Sequence, residues 1–260
     1  MKQQRLIFAA LKEDFWKLFY QRILLSITVL PLIMWLLPGV VPFGFFEFWK
    51  TTGTPLGWLC AGWPLFVWGG ATISGSIAIL TKNDRMSNLF AERVLGEGAK
   101  TSLIAGVLEE ITFRWLFVMW FIVIMRVVDY VLLGFMGYGV LELFYNYITG
   151  PVMNFLTFGV LSPQLFHPAG WFVGSAILAS NFFFKDGHKY QGTFGTVNSW
   201  FGGVFLFWIL FHYGLPAAIM VHFLYDIMFD LIHYVDSIIE RKETRQKDII
   251  IARAIDRSRR

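Results

Sequence analysis

Two adjacent glutamates lie inside a long apolar stretch, and an arginine follows the second by four residues. Residues 108–114 read Leu-Glu-Glu-Ile-Thr-Phe-Arg, which makes Glu109, Glu110 and Arg114 the ionisable groups of this stretch. An acid placed four residues before a base is the favourable order for a helical ion pair, so Glu110 is predicted to pair with Arg114. Successive helical residues are rotated by about 100°, so Glu109 points elsewhere and needs partners from other helices.

Two further polar groups lie in later apolar segments. Ser180, Phe184 and His188 recur every four residues, which places them on one face of a helix. His222 and Asp226 are also four residues apart, and an aspartate can hold a neighbouring imidazole in one tautomer. Either group alone is also compatible with a structural role, as an interfacial histidine or a packing pair.

The elements that carry these groups are long enough to cross a bilayer. The chain has 260 residues, of which 56% are hydrophobic, 18% aromatic and 15% charged. Its mean hydropathy is +0.57. About 20 consecutive apolar residues suffice for a membrane-spanning helix, and residues 101–125 form such a run around Glu109. The composition therefore predicts an all-α, polytopic bundle of transmembrane helices.

Hydropathy predicts about eight spans. The segment 148–166 is apolar but contains Gly150-Pro151 and Ser162-Pro163, so it is either a broken span or a re-entrant piece. Counting it gives eight spans and returns the C-terminus to the side of the N-terminus, whereas omitting it gives seven. The eight spans cover about 23–41, 56–80, 101–125, 130–147, 148–166, 171–188, 200–211 and 215–235, with Arg126 and Asp129 between the third and the fourth.

Charge sets the expected orientation. Residues 240–260 hold eight Lys or Arg against four Asp or Glu, and such basic segments usually lie at the cytoplasmic face. We therefore expect one membrane domain over 1–239, with its motifs within about 99–230, and a basic cytoplasmic tail over 240–260. Both termini are expected to be cytoplasmic, in a protein of the bacterial plasma membrane. Surface helices are predicted over 1–20 and 82–100.

This orientation brings the polar groups together. The helix of Glu109 runs outward, the segment ending at His188 returns, and the last span places His222 three to four turns from its cytoplasmic end. All three groups can then meet in a cavity in the cytoplasmic half of the bilayer. Carboxylates and imidazoles that converge in a dry cavity are the groups that general acid–base catalysis requires.

The three motifs resemble those of one family. Residues Glu109-Glu110-Ile-Thr-Phe-Arg114 resemble its E-E-x-x-x-R motif, Phe184-Lys-Asp-Gly-His188 its F-x-x-x-H motif, and His222-Phe-Leu-Tyr-Asp226 its H-x-x-x-N/D motif. The family is the CAAX protease and bacteriocin-processing (CPBP, or Abi) group of intramembrane proteases. It includes the type II CAAX prenyl endopeptidases.

The resemblance implies an intramembrane glutamic endopeptidase and a role for each residue. Glu109 would activate a water with the help of His188, and Glu110 would pair with Arg114 to hold the site together. His222 and Asp226 would stabilise the oxyanion. Asp226 departs from the prenyl proteases, which carry Asn there. An ionised Asp cannot donate a hydrogen bond, so it either stays protonated or orients His222.

The expected substrate is a membrane-associated protein or peptide, either CAAX-like or a leader or pro-peptide. The alternatives are a non-catalytic bacteriocin self-immunity or scaffold protein, and a proton-coupled transporter, because intramembrane Glu and His also build proton relays. Nucleic acid is not expected as a partner, because no basic groove or stacking motif accompanies the basic tail. No cofactor is expected. Zinc is the alternative, since Glu and His can ligate it, but no H-E-x-x-H motif is present.

Overall fold

The structure is all-helical. A computed structural model describes residues 21–79, 99–132, 136 and 139–258, and its regular elements in these ranges are all helices. The predicted all-α class is thereby confirmed, whereas the surface helices predicted over 1–20 and most of 82–100 lie outside the described residues. The helices are α1 (Gln21–Leu36), α2 (Pro55–Ile79), α3 (Ala99–Glu109), α4 (Phe117–Val131), α5 (Val140–Phe144), α6 (Gly150–Leu156), α7 (Ser162–Leu165), α8 (Trp171–Gly187), α9 (Gly192–Tyr213) and α10 (Leu215–Ser258).

Within the described ranges, two π-helical segments interrupt the α-helices. Residues Glu110–Leu116 join α3 to α4, so that one continuous helix runs from Ala99 to Val131. Residues Tyr145–Thr149 join α5 to α6 in the same way.

Among the described residues, four helical stretches are long and apolar enough to cross a membrane. They are Pro55–Ile77, Ser102–Val131, Lys189–Tyr213 and Leu215–Asp236. Helix α1 is apolar but shorter than these four stretches, and α8, with 17 residues, is shorter than them as well. These stretches indicate a membrane protein. They also correspond to four of the eight predicted spans, those over 56–80, 101–125, 200–211 and 215–235.

The region between α4 and α8 differs most from the hydropathy pattern. The third span was predicted to end near Met125 and the fourth to follow Asp129, but α4 continues to Val131 and α5 begins at Val140, after Gly139 with a φ of 45°. The predicted broken span over 148–166 divides into α6 and α7. Phe158 and Gly159 adopt positive φ of 53° and 70° between them. Hydropathy does not reveal where the backbone turns, so the apolar composition of these residues did not predict the helix ends.

Helix packing brings the motif-bearing elements together. Helix α8 packs along α4 and against α9, and α10 packs against α2, α3 and α9. Close approach depends on small residues. A Cβ at Gly106 of α3 would lie 3.4 Å from the backbone nitrogen of Phe223 on α10, and one at Gly69 of α2 would overlap the ring of Tyr225. The helices of Glu109 and His222 therefore cross without an intervening layer of side chains.

The segment between α1 and α2 covers the end of the bundle remote from His188. Thr52 Oγ1 donates to the carbonyl oxygen of His212, near the C-terminus of α9, at 2.6 Å. Trp115 Nε1 donates to the carbonyl oxygen of Phe45 at 2.7 Å. These bonds close that end with backbone and aromatic side chains.

The outward surface carries large apolar side chains, as expected for contact with lipid. Trp35, Tyr147, Phe155 and Phe158 are each at least 75% exposed. Exposed apolar surface on this scale is unfavourable in water and favourable against hydrocarbon.

Candidate active site

The two glutamates lie where the helix changes its pitch. Glu109 is the last residue of α3, and Glu110 is the first residue of the π-helical segment. A π-helix bonds each N–H to the carbonyl five residues back, and such turns recur at functional sites because they widen and re-aim the helix. Ser180 of α8 donates its hydroxyl proton to the carbonyl oxygen of Phe113 within this segment.

Glu110 belongs to a fully buried group. The side chains of Glu110 and Arg114 are both 0% exposed, and Arg114 Nη1 lies 3.3 Å from Glu110 Oε1. The same carboxylate oxygen lies 2.7 Å from His222 Nδ1. Glu110 therefore holds a guanidinium on its own helix and an imidazole on α10 at once.

Glu109 lies in a more open group. Its Oε2 atom is 3.7 Å from His188 Nε2 and 3.9 Å from His222 Nε2. His222 Nε2 also lies 3.7 Å from Asp226 Oδ1. The side chains of Glu109 and Asp226 are 28% and 30% exposed, so this side of the site is accessible whereas the Glu110 side is not. Separations of this size exceed direct hydrogen bonds.

The partners of the two Nδ1 atoms determine the histidine tautomers. His188 Nδ1 lies 2.8 Å from the carbonyl oxygen of Phe184, which can only accept a hydrogen bond. His222 Nδ1 likewise faces a carboxylate oxygen of Glu110. Both Nδ1 atoms must therefore carry the proton, and the neutral form of each ring has an unprotonated Nε2. Both Nε2 atoms face the same oxygen of Glu109.

The six ionisable residues singled out from the sequence thus lie in one contiguous group. The contact between Glu110 and His222 was not predicted from the sequence, because no motif spacing relates residues on different helices. The sequence suggested that Asp226 could hold the tautomer of His222. In the structure Glu110 contacts Nδ1, and Asp226 faces Nε2 instead.

Aromatic rings form the walls of the buried group. The guanidinium carbon of Arg114 lies 3.9 Å from the ring centroid of Phe184 and 5.4 Å from that of Phe207. Phe184 was part of a predicted motif, but its contact with Arg114 was not predicted. Phe207 stands in an apolar run of α9 with no signal that separates it from the phenylalanines around it.

This arrangement can hold and transfer protons. A partly exposed carboxylate faces the Nε2 atoms of two imidazole rings beside a second carboxylate, while a buried ion pair holds one of the rings. Within the ranges that the structure describes, no group of three or more His, Cys, Asp or Glu side chains is arranged as metal ligands.

Comparisons of the chain with protein-family models, with curated proteins and with solved structures find no match. The resemblance to CAAX-type intramembrane proteases is therefore carried by the three motifs of the sequence.

Proposed function

We propose that this protein is an intramembrane endopeptidase, of the CAAX-protease type, that hydrolyses a peptide bond of a membrane-associated protein or peptide. The observation that carries the proposal is the convergence on Glu109 Oε2. The Nε2 atoms of His188 and His222 approach it at 3.7 Å and 3.9 Å, and each ring has its Nδ1 engaged elsewhere. A purely structural role would require only the ion pair between Glu110 and Arg114. It would not explain why two imidazole nitrogens approach Glu109.

In the proposed mechanism Glu109 is the general base. A water bound beside Glu109 and His188 transfers one proton to the carboxylate, and the oxygen attacks the carbonyl carbon of the substrate. Placing a base and a water in reach of the carbonyl contributes about 10²–10⁴-fold to the rate. The proton held by Glu109 then passes to the leaving amine as the C–N bond breaks. Glu109 thus returns to its carboxylate form, and no cofactor is consumed.

His222 is the proposed oxyanion donor. As an imidazolium it donates Nδ1–H to Glu110 and Nε2–H to the oxygen that becomes negative, while Asp226 at 3.7 Å balances the charge of the ring. One donor directed at a developing oxyanion is worth about 3–4 kcal/mol. Because Glu110 and Arg114 are 0% exposed, the ring is held before the substrate arrives.

The proposal includes an orientation. Eight spans, with both termini in the cytoplasm of a bacterial cell, would place the open side of the site toward the cytoplasm, and the basic tail supports this. Single cysteines replacing Thr51 or Gln246, in a Cys60→Ser background, can be labelled with a thiol reagent that does not cross membranes. Position 51 should react from outside intact cells and position 246 only after lysis. Reaction of position 246 from outside would contradict the orientation.

The function is tested by comparing the termini of membrane proteins in the native host. Cells with the wild type are compared with cells that express Glu109→Gln to the same level. We expect uncut precursors to accumulate in the variant alone, because glutamine has the shape of glutamate but cannot accept the proton. Those precursors identify the substrate and show whether it is prenylated.

The alternatives predict different outcomes. A self-immunity or scaffold protein would show unchanged termini and an unchanged phenotype in Glu109→Gln. A transporter would show flux driven by a pH gradient or a voltage, which Glu109→Gln would abolish without any change in termini. Loss of cleavage on chelation, with recovery on adding zinc, would favour the zinc mechanism over the metal-free one.

A further inference from the structure

Phe184 lies at the centre of the buried part of the site. Its side chain is 3% exposed, and its ring centroid lies 3.9 Å from the guanidinium carbon of Arg114. The centroids of the imidazole rings of His188 and His222 lie 4.6 Å and 5.9 Å away. One phenylalanine ring therefore contacts a cation and both histidines that face Glu109.

Arg114 depends on that ring for its position. None of its three guanidinium nitrogens has a hydrogen-bond partner among the described residues, although Nη1 forms the ion pair with Glu110. A guanidinium without directional bonds is free to rotate and shift unless other contacts hold it. The face of an aromatic ring attracts a cation through its quadrupole, and this attraction strengthens when water is excluded. Phe184 is the nearer of the two rings that flank Arg114, since Phe207 lies at 5.4 Å.

The position of Arg114 is transmitted to His222. Arg114 and His222 share the same oxygen of Glu110, at 3.3 Å and 2.7 Å, so a shift of the guanidinium shifts the carboxylate that holds Nδ1. The backbone of Phe184 acts on the other histidine, because its carbonyl oxygen accepts the bond from His188 Nδ1. The two histidines are thus connected to Phe184 by different routes, one through the ring and one through the main chain.

We infer that Phe184 is a positioning residue for both histidines of the site. Its ring holds Arg114, and thereby Glu110 and His222, by cation–π attraction, and its carbonyl oxygen holds the tautomer of His188. The expected effect on the cleavage rate rests on the proposed peptidase function, whereas the expected effect on the position of His222 does not depend on it.

The geometric test is nitrogen NMR of the imidazole rings. Full-length protein carrying ¹⁵N-histidine in lipid nanodiscs is compared with the same protein carrying pentafluorophenylalanine at position 184. Fluorination keeps the shape of the ring but reverses the charge of its face, so it repels Arg114. We expect the Nδ1 and Nε2 signals of His222 to change, while His188 keeps its protonated Nδ1 because the carbonyl of residue 184 is unaltered.

The matched control is pentafluorophenylalanine at Phe183. That side chain is 55% exposed, and its ring stacks on Phe121 with centroids 5.5 Å apart. Phe183 precedes Phe184 on the same helix, and the substitution is chemically the same. We expect neither the histidine signals nor the cleavage rate to change.

The kinetic test uses the substrate identified from the host membranes. Mono-, tri- and pentafluorinated phenylalanine at position 184 should lower kcat stepwise, and the total reduction should be about tenfold. This is the rate effect of losing one cation–π contact that is shielded from water. KM should stay constant, since the ring is not proposed to touch the substrate. Phe184→Leu, which removes the ring face entirely, should lose at least as much.

The outcomes separate the two proposals. A loss of cleavage in Phe184→Leu, with kcat and the His222 signals unaffected by fluorination, would show that the ring only fills space and would overturn the inference. A wild-type protein that cleaves nothing, but whose His222 signals respond to fluorination at 184, would retain the positioning role and overturn the peptidase.

Discussion

Glu109 and Glu110 are neighbours in the sequence but have opposite surroundings. Glu110 is 0% exposed, lies 2.7 Å from His222 and 3.3 Å from Arg114, and is held on both sides. Glu109 is 28% exposed and approaches His188 and His222 only at 3.7 Å and 3.9 Å. A carboxylate with short, buried contacts is fixed and serves structure. One with longer contacts at an accessible edge is available to a water and a substrate. The comparison teaches that burial and contact distance, rather than residue type, separate the two roles that we propose.

The largest effect is expected from Glu110→Gln. Glutamine leaves Arg114 buried without its ion-pair partner, and removing one member of a buried pair costs about 3–5 kcal/mol. The free energy of unfolding, measured in mixed micelles, should fall by that amount, and cleavage should be lost because His222 loses the carboxylate charge that stabilises its imidazolium form.

The double variant Glu110→Gln, Arg114→Met sharpens this prediction. It also removes the guanidinium of Arg114, which Glu110→Gln leaves buried without an ion-pair partner. The double variant should therefore recover a substantial part of the lost stability while remaining inactive. A double variant as unstable as Glu110→Gln would show that the charge of Arg114 is not the cause of the loss.

His188→Asn tests the open side of the site. His188 is only partly buried, and its ring bonds to a backbone carbonyl at the end of its own helix, so its removal should leave the unfolding midpoint unchanged. Cleavage should fall by about 100-fold, the lower range for loss of a proton-transferring group. An equal loss of stability and activity would place His188 with the structural group.

Gly203→Ala tests the packing of α9 against α8. A Cβ at this position would overlap Asn181 Oδ1 and lie 3.0 Å from the ring of Phe184. Overpacking of this kind typically costs about 1–3 kcal/mol, and it should reduce cleavage by displacing Phe184. Gly202→Ala is the control. Its Cβ would lie 3.8 Å from Leu65, an ordinary contact, so stability should be unchanged or rise by up to about 1 kcal/mol.

The smallest effect is expected from Asp226→Asn. The side chain is 30% exposed and lies 3.7 Å from His222 Nε2, and an amide can donate a hydrogen bond where an ionised carboxylate cannot. The cleavage rate should stay within about tenfold of the wild-type rate, which corresponds to a change in activation free energy of at most roughly 1.4 kcal/mol. A loss as large as that of His188→Asn would mean that the carboxylate of Asp226 itself takes part in proton transfer.

The sequence predicted the helical class and the helices that carry the motifs because both depend on local periodicity and composition. The span predicted over 171–188 corresponds to α8, at Trp171–Gly187, and the last span begins at Leu215 as predicted. Hydropathy and charge predicted the break between the third and fourth spans near residues 126–129, whereas α4 continues to Val131 and α5 begins at Val140. An apolar run shows that a segment can enter a membrane, but not that its backbone is continuous.

The details of the site depended on contacts between helices. The prediction that Glu110 faces Arg114 needed only their i,i+4 spacing, and their ion pair at 3.3 Å lies within a π-helical turn that the spacing does not reveal. The bond from His222 to Glu110 joins residues 112 positions apart. No local pattern in the sequence relates them, and only packing of α10 against α3 and the π-helical segment brings them together.

The most direct test of the account is the cleavage rate of purified Glu109→Gln in proteoliposomes, at an unfolding midpoint matched to the wild type. The substrate is the precursor that accumulates in host membranes. We predict a loss of about 100-fold or more with no change in stability, because Glu109 is 28% exposed and lies 3.7 Å and 3.9 Å from its two histidine partners. Cleavage within a few-fold of the wild type, by a variant that remains folded, would contradict the assignment of Glu109 as the base.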